Sequence, residues 1–336
     1  MVTISQSSFG NIILGIFAIL SLIFFSNKVI EKSIKISKRL GISQMFIGLT
    51  IISIGTSLPE ITTHIVASIG ILKGNLDYFI ASSTVIGINI GSDIVQQTFI
   101  LGIIGLLAVM HSTPLKMKKS FLKKDFLIMI VASALLLLLA IDGKISRTEG
   151  ALMFFGYMAY LWALWKKENK RKNNKAPINK KDKKGLFADF AYIILGIIII
   201  FFSAEYILKI AEFFVANYNI GASLIGVVII GVAAALPEFT TSVTAILKNS
   251  SSISIGTLIG SNITNPMFAL GLGAMISSYH VPKPVIIYDV PVKIATAVLV
   301  MWMLWKNEEL TKKNSAVMVG TYLIYAVIRL KYFSLD

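Results

Sequence analysis

The sequence predicts an all-α polytopic membrane protein, with ten transmembrane helices arranged as two inverted five-helix repeats and broken helices at the centre. Three observations predict this fold. The 336 residues are 55% hydrophobic and 15% charged, with a mean hydropathy of +0.77. A motif in the first half, Leu58 to Thr63, returns in the second half as Leu236 to Thr241. A basic, Asn-rich stretch at 166–186 separates the two halves.

The apolar stretches define the helices in order. Crossing a bilayer takes roughly 20 apolar residues. The predicted spans of the first half are 10–30, 42–72, 76–110, 125–142 and 149–165, and those of the second are 187–208, 219–247, 252–279, 284–305 and 314–330. The second and third spans of each half exceed one crossing, which predicts tilt or a break. We therefore expect a first repeat at 1–165, a flexible linker at 166–186 and a second repeat at 187–336.

The net charge of +15 is placed asymmetrically. Basic residues concentrate in the loops after the first, third and fifth spans, and the alternate loops carry few. Under the positive-inside rule this pattern predicts a cell-membrane protein with a cytoplasmic basic linker and both termini outside. Basic loops at a membrane boundary contact anionic lipid head groups, so they indicate lipid partners and no nucleic acid. Without cysteine, the chain has no disulfide framework and no thiolate metal site.

The repeat extends beyond the short motif. Residues 42–60 align with 220–238, and Ile90 to Ile94 align with Ile259 to Ile263, so that equivalent motif regions cover 53–97 and 231–266. Because each half has an odd number of predicted crossings, the second half enters from the opposite side. Such inverted repeats are typical of secondary transporters, which bind their substrates where the repeats meet.

The repeated motif places a glutamate and a proline inside the membrane in each half. An intramembrane carboxylate costs several kcal/mol and indicates a functional site. Pro59 and Pro237 should break their helices, and the carbonyls that a break frees are tolerated only where they line a cavity or meet a ligand. Because Na⁺ and Ca²⁺ prefer oxygen ligands, Glu60 and Glu238 predict a cation site.

A second pair of motifs offers neutral oxygens. Ser92 with Gln96, and Ser261 with Asn265, have the i,i+4 spacing that places two side chains on one helix face. Asp93 lies off that face, and we expect it to serve a side path or a hydrogen bond. The glycines and small residues of these motifs also favour close helix packing, but packing alone gives no reason for two glutamates.

The remaining ionisable residues give weaker indications of function. His64 lies one turn after Glu60, where either a structural role or an effect on Glu60 fits. The sequence shows no nucleophile–base arrangement, phosphate loop or nucleotide motif, so a transporter is predicted and an enzyme is not. Five acids near predicted membrane boundaries are expected to be solvated: Asp77, Asp142, Asp289, Glu308 and Glu309.

The segments Gly55 to Glu60, Gly91-Ser92 and Gly260 to Ile263 resemble signatures of the cation/calcium exchanger superfamily, and within it the prokaryotic sodium/calcium exchangers. The resemblance implies an antiporter that exchanges Na⁺ for Ca²⁺ by alternating access, without a cofactor, and we expect it to function as a monomer. It also implies the ion ligands, which are the carboxylates of Glu60 and Glu238, the hydroxyls of Thr56, Ser57, Ser92 and Ser261, the carbonyls of Ser53 and Gly231, and the side chains of Gln96 and Asn265.

The sequence departs from this family pattern in the second half. Ala234 and Ala235 stand where Thr and Ser are expected, Asn265 stands where the family often has Asp, and Gln96 stands where it often has Asn or Asp. Two carboxylates balance one Ca²⁺ or two Na⁺, and a third Na⁺ would leave an excess charge at low dielectric. We therefore predict a coupling other than three Na⁺ per Ca²⁺, or protons in place of some Na⁺. A proton-coupled or monovalent-cation exchanger on the same scaffold, a cation channel and a non-transporting relative that only binds ions or lipid are the alternatives.

Overall fold

The computed structural model describes residues 8–111, 115–117, 119–172, 183–215 and 222–333, and nearly all of them are helical. The helical segments, numbered in chain order, are α1 Ser8–Leu40, α2 Gln44–Thr56, α3 Leu58–Leu72, α4 Tyr78–Met110, α5 119–140, α6 Arg147–Lys172, α7 Lys183–Val215, α8 222–234, α9 Leu236–Leu247, α10 251–277, α11 285–307 and α12 Lys312–Tyr332. Two short strands, β1 Lys144–Ile145 and β2 Tyr279–His280, pair antiparallel and connect loops of the two halves.

A helix, or a bent pair of helices, lies at each of the predicted spans. Within the described residues, three helical stretches are long and apolar enough to cross a membrane by themselves: Tyr78–Met110, Gly185–Ser203 and Val285–Lys306. Two bent pairs also qualify, α2 with α3 at 45° and the pair Gly226–Ala234 with Leu236–Leu247 at 44°. The all-α membrane fold is therefore confirmed, and the assignment of ten crossings stays a prediction.

The surface and the interior are distributed as lipid requires. Large apolar side chains face outward, with Phe187 78% and Leu138 68% exposed. The interior contains carboxylates, amides and hydroxyls, because polar groups are stable at membrane depth only when other protein groups or a water-filled cavity surround them. The polar interior of the helix bundle therefore contains the candidate functional site.

The basic ends of two helices differ from the sequence-based prediction. The residues from Lys28 to Arg39, expected in a loop, continue α1, where Lys32 and Arg39 each contact the Asp189 carboxylate of α7 at 2.9 Å. These ion pairs hold α1 against α7, the corresponding helix of the second half.

The predicted linker is also shorter than 166–186. Helix α6 continues to Lys172 and α7 begins at Lys183, while residues 173–182 lie outside the described part of the chain. Glu168 explains the longer α6, because its carboxylate accepts hydrogen bonds from the backbone N–H and the hydroxyl of Ser43, both at 2.8 Å, and from Arg171 at 2.6 Å.

Candidate ion-binding site

Each half contains a helix break at the repeated motif, as predicted. Ser57 separates α2 from α3, and Ala235 separates α8 from α9. In both places proline follows at the start of the next helix, where its missing N–H is tolerated, and the glutamate lies in the first turn. The last turn before each break closes in the same way, with Ser57 N–H donating to Ser53 O at 3.0 Å and Ala235 N–H to Gly231 O at 3.1 Å. These two carbonyls, predicted as ion ligands, thus each have a backbone partner and a second lone pair.

The broken helices cross the opposite half at glycines. A Cβ on Gly48 of α2 would lie 3.0 Å from the Cα of Gly256 in α10, and a Cβ on Gly226 of α8 would lie 3.0 Å from the Cα of Gly87 in α4. In the repeat alignment Gly48 corresponds to Gly226, and Gly87 to Gly256. The contacts are therefore reciprocal, and each half packs its broken helix on the third span of the other half.

The two glutamates lie at the centre of this crossing and are fully buried. Glu60 Oε1 accepts a hydrogen bond from the Ser92 hydroxyl at 2.8 Å. Glu238 Oε1 accepts two, from Ser57 at 3.2 Å and Ser261 at 3.1 Å. The Oε2 atom of each glutamate has no hydrogen-bond partner among the described residues. Three of the predicted hydroxyl ligands and both carboxylates therefore meet in one cluster.

The amides form hydrogen bonds between the two halves, and Gln96 also contacts the cluster. Gln96 donates to Ser92 Oγ at 2.9 Å, and its oxygen accepts from Asn262 Nδ2 at 3.0 Å. In the equivalent contact Asn265 Nδ2 donates to Asp93 Oδ1 at 2.8 Å, which leaves Asn265 Oδ1 buried without a partner in the described structure. Because a carboxylate only accepts, Asp93 determines which way the Asn265 amide points. A π-helical turn begins at both Gln96 and Asn265, a feature frequent at functional sites.

Acceptor oxygens outnumber donors here. The partnerless Oε2 atoms of both glutamates and the Oδ1 atoms of Asn262 and Asn265 are buried lone pairs, and burying such atoms without a partner is costly. A hard cation would satisfy them. No group of three or more His, Cys, Asp or Glu side chains converges in the described chain, so a bound cation would draw the rest of its ligands from hydroxyls, amides and carbonyls.

The hydroxyl asymmetry expected from the sequence is present in the structure. Thr56 is buried, and its hydroxyl donates to Ile52 O at 3.0 Å within its own helix. Ala234 and Ala235, at the equivalent positions of the second half, are equally buried and offer no hydroxyl. The first break therefore contributes hydroxyl oxygens to this region, and the second contributes none.

One charged residue of this region is absent from the sequence-based site. Lys293 of α11 is fully buried, and its Nζ lies 2.5 Å from Asp93 Oδ2. The sequence could have indicated Lys293, since a lysine inside the apolar span 284–305 is an intramembrane charge that requires a partner. Asp93 thus does form a hydrogen bond, as one of its predicted roles required, and it is also half of an ion pair.

His64 belongs to a network beside the glutamates. Its Nδ1 contacts Tyr279 Oη and its Nε2 contacts Asn89 Nδ2, both at 3.2 Å. Asn89 also donates to Asn265 O at 2.8 Å, and Tyr279 contacts Ser68 Oγ at 2.7 Å. These contacts favour the structural role, because both ring nitrogens are occupied by neutral groups.

One predicted boundary acid is not solvated. Asp289 is fully buried and accepts from Arg329 Nε at 3.0 Å and from the Tyr325 hydroxyl at 2.7 Å. The prediction of a solvated Asp289 is wrong because it judged the residue only by its position near the end of a span. Arg329 of α12, which also donates to Ser223 of α8, brings a charged partner to it from another helix.

Comparison with known proteins identifies relatives of this architecture. The family model described as sodium/calcium exchanger protein matches residues 10–166 and 188–331. The sodium/calcium exchanger MaX1 of Methanosarcina acetivorans is 26% identical over 95% of this chain and 98% of its own length. The inner membrane protein YrbG of Escherichia coli is 22% identical over 92% of this chain and 94% of its own length.

Solved structures agree with the fold. A structure of the sodium-calcium exchanger NCX_Mj soaked with Na⁺ and Ca²⁺ superposes with a TM-score of 0.74 at 24% identity, covering 96% of this chain and 98% of that one. A second NCX_Mj structure, soaked with Na⁺ and Sr²⁺, has a TM-score of 0.76 at 22% identity over 94% of this chain and 97% of that one.

Proposed function

The chain belongs to the sodium/calcium exchanger family, and from this premise we propose that it is a secondary active antiporter that exchanges Na⁺ for Ca²⁺ by alternating access. The observation that carries the proposal is the cluster around Glu60 and Glu238, where two buried carboxylates each keep one oxygen without a partner among the described residues. A carboxylate pair surrounded by hydroxyl and amide oxygens is a suitable site for a hard cation.

The contacts support a specific set of ligands. Glu60 and Glu238 supply the charge, Ser57, Ser92 and Ser261 contact the carboxylates directly, and the partnerless oxygen of Asn265 completes the set. Four further predicted ligands also make hydrogen bonds away from the carboxylates: Thr56, Gln96, Ser53 and Gly231.

We also propose that the chain crosses the cell membrane ten times, as two inverted repeats with both termini outside. The reciprocal glycine crossings and the nearly equal bends of 45° and 44° support the two-fold relation. Single cysteines test the orientation directly, since the chain has none of its own. Lys170→Cys should be labelled by an impermeant maleimide only from the cytoplasmic side, and Lys144→Cys only from outside; labelling of both from one side would contradict the topology.

Flux measurements test the transport activity. In proteoliposomes, ⁴⁵Ca²⁺ uptake should require an outward Na⁺ gradient and should be abolished by Glu60→Gln and by Glu238→Gln, which keep the side-chain volume but remove the charge. Uptake driven by a pH gradient alone would favour the proton-coupled alternative, which the two-charge centre also fits. Uptake that needs no ion on the opposite side would indicate a channel, and no uptake in any gradient would contradict the antiporter.

A further inference from the structure

Lys293 and Asp93 form an ion pair whose groups are both fully buried, with 2.5 Å between Nζ and Oδ2. Burying two charges costs several kcal/mol per ion before their attraction is counted, so such a pair is weak evidence for a stabilising role. An electrostatic effect on the ion-binding site is a second explanation for the presence of this ion pair.

The pair is one side chain away from the proposed cation site. The Asp93 oxygen that does not contact Lys293 accepts from Asn265, whose own oxygen is left without a partner among the described residues. Asp93 also follows Ser92, the residue that donates to Glu60. The ammonium is therefore connected through Asp93 to the predicted ligand Asn265, and Asp93 lies one residue in sequence from the Glu60 partner, in an interior where charges interact strongly at low dielectric.

A purely structural role is the competing explanation, and two contacts argue against it. Gln97 already joins α4 to α11 without charge, donating to Lys293 O at 2.6 Å and to Thr296 Oγ1 at 2.5 Å. The repeat equivalent of Asp93 is Asn262, which makes the matching contact with Gln96 as a neutral amide. The protein therefore fills the equivalent position without an ion pair, and what Asp93 and Lys293 add is a third carboxylate already balanced by an ammonium.

We propose that Lys293 is a tethered cation that holds a cation position at Asp93 and thereby sets the coupling ratio. Glu60 and Glu238 carry the charge of the proposed site, and the Lys293 ammonium neutralises a third carboxylate nearby, that of Asp93. Two charges remain for transported ions, which one Ca²⁺ or two Na⁺ balance equally. Exchange is therefore electroneutral, and a third Na⁺ is excluded because Lys293 stands in its place. This inference rests on the proposed antiport and identifies the residue that determines its stoichiometry.

The test compares Lys293→Met, a side chain of similar length without charge, with wild type in proteoliposomes. Wild-type Na⁺-driven Ca²⁺ flux should be unaffected when valinomycin and K⁺ clamp the membrane potential at different values. Lys293→Met exposes Asp93 to a third Na⁺, so its Hill coefficient for Na⁺ should rise by about one and its flux should depend on the potential. The double variant Asp93→Asn/Lys293→Met should return to electroneutral exchange. A Lys293→Met protein that stays electroneutral with unchanged Na⁺ cooperativity would overturn the proposal.

A second comparison applies if Lys293→Met does not fold. Asp93→Asn leaves an uncompensated ammonium beside the site, so Ca²⁺ should bind at least tenfold more weakly than to Asp93→Asn/Lys293→Met, measured by calorimetry on detergent-solubilised protein. Equal affinities would show that the ion site does not sense Lys293, which refutes the inference. Because this readout is binding, it remains decisive even if wild-type flux shows no Na⁺ dependence, the result that would refute the proposed antiport instead.

Discussion

Replacing Ser92 by alanine should weaken Ca²⁺ binding far more than the equivalent change at Ser261. Ser92 is the single hydrogen-bond donor to the Glu60 side chain among the described residues, whereas Glu238 Oε1 has both Ser261 and Ser57. A hydrogen bond to a charged group contributes about 1.5–3 kcal/mol, and about 1.4 kcal/mol is tenfold in affinity. Ser92→Ala should therefore raise the Ca²⁺ concentration for half-maximal flux roughly 10- to 150-fold. Ser261→Ala should raise it less than about tenfold, because Ser57 still donates.

The assay is initial ⁴⁵Ca²⁺ uptake into proteoliposomes at a fixed Na⁺ gradient over a range of Ca²⁺ concentrations. The chain offers matched controls: Ser82 is a buried serine on the same helix as Ser92, and Ser254 is one on the same helix as Ser261, and neither hydroxyl has a partner in the described structure. Ser82→Ala and Ser254→Ala should leave the affinity unchanged. Equal losses for Ser92→Ala and Ser261→Ala would refute the reasoning, because the unequal hydrogen bonding of the two glutamates is its only basis.

Three further outcomes are expected. Gly91→Ala would place a Cβ 2.2 Å from the backbone oxygen of Val227 and should lower the free energy of unfolding by about 1–3 kcal/mol or more. The control Gly320→Ala meets nothing within 4 Å and should be neutral or stabilising. Thermal unfolding in detergent measures both variants, and equal midpoints would contradict the close helix crossing at Gly91. Ala235 is the repeat equivalent of Ser57, whose hydroxyl contacts the glutamate of the other half. Ala235→Ser should therefore add a hydroxyl facing Glu60 and lower the Na⁺ concentration for half-maximal exchange severalfold, so an unchanged Na⁺ dependence would argue that the missing hydroxyl is unimportant. Burial alone would raise the pKa of Glu168, but the hydrogen bonds from its neighbouring arginine and serine outweigh burial and hold the pKa below its usual value. Glu168→Gln should therefore be less stable than wild type at neutral pH, and the difference in stability should shrink below about pH 4 as the native carboxylate protonates. A difference in stability that stays constant with pH would exclude this linkage.

The helix breaks and the meeting of the two glutamates could be predicted because local rules determine them. Proline ends a helix wherever it falls inside an apolar run, and a duplicated motif implies two equivalent positions near one axis. Pro59, Pro237, Glu60 and Glu238 satisfy both rules, and the structure places the breaks and carboxylates accordingly. Helix limits were less predictable, since α1 and α6 continue into stretches that composition alone marks as loop and linker.

The charged partners could not be predicted because they depend on contacts between distant helices. Lys293 meets Asp93 across 200 residues of sequence, and Asp289 meets Arg329 across 40. Hydropathy shows that each is an unusual residue for its span but not which residue it faces. The orientation of the amides also cannot be predicted from the sequence. The Asn265 oxygen is left without a partner only because Asp93 accepts a hydrogen bond from the Asn265 nitrogen.

The polar contacts that cross between the halves bear on how the protein can be made. Ser57 bonds to Glu238, Asn265 to Asp93, and Asn262 to Gln96, so each half supplies partners for buried groups of the other. Neither half inserted alone could provide hydrogen-bond partners for those groups, and an unpaired polar group in lipid costs several kcal/mol. A chain divided between Lys172 and Lys183 should therefore yield two fragments that are degraded when produced separately and survive when produced together, so that survival of the fragments in a cell reports their assembly.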